Sequence, residues 1–242
     1  MYCRTICIVI FNKIYLKSNN IHSSATIASN VKIGNNVSIA ANVVIYDNVS
    51  IEDGVVIEAN SVIGASPKTV GAQKGNGWTI LKSKSYIGEN CVIDAPIKND
   101  TIISKNCYIM PFVYIGHDSI IHQNSILSSG VKVGGYVNID RNCNIGLNVS
   151  IHQFSTIGAF AMIGMGAIVN KDIPPFSKAF GIPIRFKGLN KIGMERAGLS
   201  NSIIQEISEY IDGINENFEN PDWLRYFENF TTLSKRTKLI CR

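Results

Sequence analysis

The chain has 242 residues and a formal net charge of +5, from 23 basic and 18 acidic side chains. That length buries a sizeable core, as one domain or as one domain with a small appendage. No dense Lys/Arg run interleaved with aromatics occurs, which argues against a nucleic-acid partner and leaves an acidic protein or a phosphate-bearing ligand open.

Residues 1–20, MYCRTICIVIFNKIYLKSNN, hold a short apolar run, TICIVIF. It is far shorter than a membrane span, and the lysines and asparagines after it do not resemble a signal cleavage site. The expectation is an N-terminal arm or strand of a cytoplasmic protein.

From Ile21 the chain repeats every six residues. Ile21, Ile27, Ile33, Ile39, Ile45, Ile51, Ile57 and Ile63 lead successive hexads, and a small or β-branched residue stands four positions after each of the first seven. The frame resumes at Ile87 and Ile93, slips by four at NDTI (99–102), and runs unbroken from Ile103 to Val169, giving about 22 hexads. A period of six is neither helical nor plain strand alternation; it marks a parallel β-helix in which each short strand turns a corner. Three hexads close one triangular coil, so residues 18 apart stack about 4.8 Å apart. The predicted fold class is an all-β solenoid, a parallel β-helix over 21–184, followed by a small α-helical region over 185–242. Cys91, Cys107 and Cys143 fall four positions after a lead residue and are expected in the core, not in disulfides.

Two segments leave the repeat. Residues 64–86 are expected to form a protruding, Gly- and Lys-rich loop, for ligand binding or as a clasp between subunits. Beyond KDIPPFSKAFGIP the period turns helical. Ser200 is a candidate N-cap for a helix burying Ile203, Ile204, Ile207, Tyr210, Ile211 and Ile214. Pro221 precedes a second helix with Trp223, Leu224, Tyr226, Phe227 and Phe230.

Two of the four histidines lie in VYIGHDSIIHQN (113–124). His117 stands two after Ile115 and points outward at a corner, with Asp118 beside it. As a bare sequence feature it is either a solvated corner residue or a general base oriented by a carboxylate. Gly135 stacks one coil above it, in a Gly134-Gly135 pair that also suits a corner turn. His122 comes one after Ile121, on the next face.

The motifs YIGHDSII (114–121), SIHQFSTIG (150–158), KDIPPFSKAFG (171–181), GLN (188–190), GMERAGLS (193–200) and the closing FENFTTLSKRTKLICR occur in an order that resembles the acyl-ACP–UDP-N-acetylglucosamine O-acyltransferases of lipid A biosynthesis. The resemblance runs from about Ile21 to the C-terminus. It implies a left-handed coil, homotrimers with active sites in the clefts between subunits, and no permanently bound cofactor or metal. It implies transfer of an acyl group from acyl-ACP or acyl-CoA to a hydroxyl or amine of a nucleotide-linked sugar. By the same resemblance His117 is the base with Asp118, and the Gly135 N–H faces the thioester oxygen. His152 binds substrate and Gln153 lies near the donor. Met165 shortens the acyl groove, with ordinary packing as the alternative. Arg185 and Arg196 are candidates for the phosphates of a coenzyme A or phosphopantetheine arm, with plain surface charge as the alternative.

The chain also departs from that family. Tyr114 and Tyr136 stand where it has two further active-site histidines, Ala197 replaces an arginine, and the His-Arg-Gly signature is missing from 91–102. Acceptor recognition is therefore expected to differ, with a dTDP- or UDP-amino sugar for surface polysaccharide as the alternative. Two readings from other classes are a non-catalytic trimeric scaffold and a γ-carbonic-anhydrase-like protein. The second has only His117 and His122 in suitable spacing, an incomplete set for catalytic zinc.

Overall fold

The computed structural model describes residues 18–215 and 221–239. The expected arm over 1–20 therefore lies almost wholly outside the described residues. Only its end is seen, where Asn20–Ile21 forms the first strand.

The described strands form three sheets of ten, eight and seven strands, one for each side of a triangular prism. Register matches the hexads directly: Ile21 pairs with Ile39, Ile109 with Leu127, Ile115 with Val133 and Ile121 with Ile139. Each partner lies one 18-residue coil away. The lead residues fill the interior, and from Ile39 to Val169 almost all are fully buried. Cys91, Cys107 and Cys143 sit in the same core with free thiols.

Between strands the chain turns through the left-handed region. The fourth residue of many hexads has φ near 60°, including Asn36, Asn42, Asn48, Asn106, Asn124 and Asn142. Asparagine tolerates this conformation and its side chain adds a local bond. Asn106, Asn124 and Asn142 accordingly form a side-chain ladder up one corner, each donating to the next at 3.2 Å. Where Asp118, Tyr136 and Phe154 take the same conformation, that ladder is absent and the corner carries other chemistry.

The protruding loop is shorter than the expected 64–86. The strand Val62–Ala65 runs into it, and Thr79–Leu81 and Tyr86–Ile87 belong to the prism. Leu81 is fully buried and pairs with Ile51 and Ile103. A leucine in the lead position, preceded by the irregular GNGW, hid this hexad. The protrusion is thus 66–78. A second, smaller bulge over 95–100 produces the four-residue slip.

The C-terminal region begins with a strand and not with a helix: Arg185–Leu189 runs antiparallel to Ser177–Phe180 at the edge of the ten-stranded sheet. Three described helices come next, α1 (Lys191–Arg196), α2 (Asn201–Ile211) and α3 (Leu224–Leu233). Ser200 caps α2 through the Ile203 N–H, as its position predicts. Ile204, Ile207, Trp223 and Met194 pack on Phe160 and Phe176 of the upper coils. Ile214 is not on that face. Gly213, with φ of 68°, lies just past the end of α2 and leaves Ile214 exposed. Among the described residues no helix is long and apolar enough to cross a membrane.

Candidate active site

All interruptions of the coil emerge at one corner, between the eight- and seven-stranded sheets. The loop 66–78 joins Val62–Ala65 to Thr79–Leu81, and the bulge 95–100 joins Val92–Asp94 to Thr101–Ile103. Above them at the same corner come Gly116–Asp118, then Gly134–Tyr136, then His152–Phe154, and finally Asp172.

His117 and Asp118 are each only 6% exposed. The His117 Nδ1 lies 2.8 Å from Asp118 Oδ2. Asp118 also accepts backbone N–H bonds from Ile97 (2.9 Å), Lys98 (2.8 Å) and Asn99, all supplied by the bulge. Burial by itself raises this carboxyl. The N–H groups of Asn99, Ile97 and Lys98 and the His117 ring outweigh it and hold Asp118 below the ordinary carboxylate range. An ionised carboxylate only accepts, so the imidazole proton sits on Nδ1 and leaves the Nε2 lone pair free. The Thr69 hydroxyl of the loop 66–78 lies 2.9 Å from Nε2 and, on this tautomer, donates to it.

Gly135 closes the site from above. A Cβ built there falls 2.6 Å from both Cε1 and Nε2 of His117, a distance no real Cβ keeps. Among the described residues its N–H meets no hydrogen-bond partner, while the N–H of each neighbour, Gly134 and Tyr136, is bonded along the coil. Tyr136 sets its ring edge-on to the His117 ring at 5.0 Å and stacks on Phe154 at 4.8 Å.

Below the dyad, Tyr114 donates to Asp94 Oδ2 at 2.6 Å, and Lys68 N–H reaches the same oxygen at 3.3 Å. Asp94 is fully buried, and among the described residues its Oδ1 has no hydrogen-bond partner. Burial raises the Asp94 carboxyl, and burial with the Asp94 bond and charge pushes the Tyr114 hydroxyl up. Tyr114 thus occupies its position as a donor committed to a carboxylate.

His152 and Gln153 lie higher on the same corner. The His152 Nδ1 is 3.0 Å from Arg236 Nη1, and Arg236 also binds the carbonyls of Asn170 and Gln153. Three predicted site residues are not brought to this corner. Met165 is 74% exposed on the opposite edge of the eight-stranded sheet, Arg185 begins the last strand, and Arg196 ends α1 in solvent. His117 and His122 flank the strand Ile120–Ile121 and turn to different corners. His122 faces Asp140, Arg141 and Asn138, and burial lowers its pKa. Among the described residues no group of three or more His, Cys, Asp or Glu is placed to hold a metal ion.

Sequence reasoning missed Thr69, Asp94, the N–H cluster of 97–99 and Arg236. The slip at 99–102 was the one signal for the bulge. Phe154, 18 residues after Tyr136, was readable from the repeat. Nothing in the hexad pattern points to Thr69 or Arg236.

A parallel prism of hexads with a carboxylate-held histidine at one corner defines a hexapeptide-repeat transferase. Residues 30–65 and 100–135 match the bacterial transferase hexapeptide family, and residues 172–236 match the second domain of UDP-N-acetylglucosamine O-acyltransferases. The UDP-N-acetylglucosamine acyltransferase LpxA of Bacteroides fragilis is 30% identical, with a TM-score of 0.67 over 93% of this chain and 100% of that one. LpxA of Acinetobacter baumannii is 26% identical, with a TM-score of 0.74 over 93% and 98%. The acyl-[acyl-carrier-protein]–UDP-N-acetylglucosamine O-acyltransferase of Gloeothece citriformis is 33% identical over 109 residues, 45% of this chain and 40% of that protein. The corresponding enzyme of Synechocystis is 28% identical over 57% and 50%. The aligned stretches thus span about half the length, or less, of these two curated relatives. The chain belongs to the UDP-N-acetylglucosamine O-acyltransferase family.

Proposed function

We propose that this chain transfers a short or medium acyl group from acyl-ACP or acyl-CoA to a hydroxyl or amine of a nucleotide-linked sugar such as UDP-N-acetylglucosamine. The observation that carries the reading is His117 itself: Nδ1–H held by Asp118, Nε2 facing a hydroxyl, and a glycine pressed against the ring. Thr69 occupies the place where an acceptor hydroxyl has to stand to give up its proton.

In the proposed reaction the acceptor O–H or N–H passes its proton to Nε2 as the acceptor atom bonds to the thioester carbonyl carbon. Asp118 stabilises the resulting imidazolium without taking the proton. The carbonyl oxygen becomes an oxyanion, and the Gly135 N–H is the donor placed for it. Collapse of the tetrahedral intermediate breaks the C–S bond, and the leaving sulfur takes the proton back from Nε2. A thiol and an acylated sugar result, and the base is regenerated.

One chain lines only part of such a site. Met165, Arg185 and Arg196 reach it in this reading from another subunit of a homotrimer, Met165 as a limit on chain length and the arginines on donor phosphates. Tyr114, spent on Asp94, favours a second acceptor, an amino sugar other than UDP-N-acetylglucosamine, acylated on nitrogen. A thiol-release assay with acyl-ACP and acyl-CoA against a panel of UDP- and dTDP-sugars tests both. Absence of turnover across that panel removes the enzyme reading. His117→Ala is expected to lose roughly 10²–10⁴-fold in kcat; near-wild-type turnover removes the base assignment.

A further inference from the structure

We infer that Arg236 is a positioning residue. It keeps the His152 ring in the tautomer with its proton on Nε2, and so makes His152 a hydrogen-bond donor to an oxygen of the bound substrate. The inference deepens the acyltransferase reading and rests on it for the substrate.

The tail reaches the corner by a defined path. Asp172 is fully buried at the top of the catalytic corner and accepts from the Ser234 hydroxyl at 2.7 Å, the Arg236 N–H at 2.8 Å and the Thr156 N–H at 2.7 Å. Its own N–H donates to the Thr237 carbonyl at 3.0 Å, and its carbonyl accepts from Leu239 N–H at 2.8 Å. Leu239 is 6% exposed and packs into the end of the prism core. Ser234, Arg236, Thr237 and Leu239 are thus all bolted to one buried residue of the last coil, with an apolar plug at the end. This fixes where the Arg236 side chain begins.

The guanidinium is fixed at its far end too. Nε and Nη2 donate to the Asn170 carbonyl at 3.3 and 3.1 Å. Nη1 is left facing two acceptor positions, His152 Nδ1 at 3.0 Å and the Gln153 carbonyl at 3.3 Å.

Two arrangements compete at His152 Nδ1. The Gln153 carbonyl also lies 2.9 Å from that nitrogen and takes a proton from it if one is there. A guanidinium is always charged and has only donors. A proton on Nδ1 therefore sets two N–H groups head to head across 3.0 Å, beside a full positive charge. A bare Nδ1 turns the same distance into a hydrogen bond, and the Gln153 carbonyl keeps the other Nη1 proton. Arg236 selects the second arrangement. The remaining ring proton is then on Nε2, and His152, exposed on the corner two coils above His117, donates there.

Neutral histidine in water already leans towards the Nε2–H form, but the Gln153 carbonyl 2.9 Å from Nδ1 rewards the opposite one, and a ring that accepts part of the time at Nε2 is a weaker ligand for a sugar hydroxyl or a carbonyl. Locking the proton on one nitrogen is how a second residue sets what a histidine recognises.

Long-range proton–nitrogen NMR on protein labelled at its histidines tests the inference without substrate. His152→Gln identifies the resonance. The expected result is a pyridine-like Nδ1 and a pyrrole-like Nε2 in wild type. Arg236→Met, which keeps an aliphatic stem, moves the ring towards a mixture or the Nδ1–H form, and Arg236→Lys restores the wild-type pattern. In steady-state assays Arg236→Met raises KM for the nucleotide sugar about tenfold, the loss of one well-made hydrogen bond. The same variant changes kcat less than KM, and Arg236→Lys recovers most of the loss. A wild-type His152 carrying its proton on Nδ1 overturns the inference. So does an Arg236→Met protein whose KM is unchanged while its tautomer has switched. If the wild-type protein turns over no acyl donor, the acyltransferase reading falls, and the NMR result still decides what Arg236 does to the ring.

Discussion

Gly135→Ala is the sharpest test of the corner, because its cost derives from geometry. The new methyl carbon falls 2.6 Å from Nε2 and Cε1 of His117. Ordinary carbon contacts begin near 3.5 Å, so the ring has to retreat by roughly 0.9 Å. Gly135 does not have a positive φ, so alanine brings no backbone strain of its own and the perturbation is confined to the ring. Retreat is opposed on two sides. Asp118 holds Nδ1 at 2.8 Å and is itself pinned by three N–H groups, and the Tyr136 ring stands edge-on beside it. A misplacement near 1 Å at a reacting atom costs about 10²-fold, or about 2.7 kcal/mol in the barrier. We expect kcat to fall by about that factor in a continuous thiol-release assay, with thermal stability lowered by only about 1–2 kcal/mol. The double variant with His117→Ala supplies the control. With the ring gone the methyl has room, so Gly135→Ala is then expected to cost less than about threefold, a strong departure from additivity. Equal losses in both backgrounds, or a Gly135→Ala enzyme within about threefold of wild type, refute the placement of the reacting nitrogen against this glycine.

Three further outcomes are expected from the same site and core. Asp118 is held low in the folded protein, so its stabilisation is fully present above the unfolded carboxylate value of about 3.9 and is lost as pH falls through the lower folded value. Asp118→Asn is therefore expected to be about 1–3 kcal/mol less stable than wild type in urea titrations at neutral pH, with the gap closing below about pH 4; a gap that persists unchanged into acid contradicts the assignment. Burial pushes the Cys91 thiol up to about 11 and the Cys107 thiol up to about 12, and raises Cys143 well above its ordinary value, so peptide mapping after alkylation of the folded protein near pH 8 should find all three unmodified. Met165→Gly is expected to shift donor preference towards longer acyl chains, measured as relative kcat/KM across a donor series; an unchanged preference sinks the proposed chain-length role.

The prism was legible in the sequence because its period is enforced by volume. Only a residue of about isoleucine's size fills each interior position, so the spacing of Ile39, Ile57, Ile109 and Ile145 states the register of the sheets as well as the fold. The one hexad missed was led by Leu81. His117, Asp118 and Gly135 were legible as outward residues on adjacent coils, but their joint geometry was not. It depends on Thr69 and on three N–H groups from residues 97–99, and the setting of His152 depends on a tail contact spanning 84 residues of sequence. A repeat fixes what stacks at 18-residue intervals. It carries no information on where an inserted segment folds back or where a tail returns. The same limit explains the strand Arg185–Leu189, whose partner is set by the turn at Gly181 and not by the hexads.

Confining each interruption to the corner between two sheets has an evolutionary consequence. The coils below Ala65 and above Thr79 keep their register whatever the length of chain between them, since Ile63 pairs with Ile93 and Leu81 with Ile51 across the loop. Lengthening such a segment costs little, about 0.6 kcal/mol for each doubling. A lineage can therefore exchange the segments inserted beside His117 while the supporting coils, and the histidine they aim, are inherited unchanged. In the proposed reaction this leaves acceptor choice free to drift much faster than the chemistry it serves.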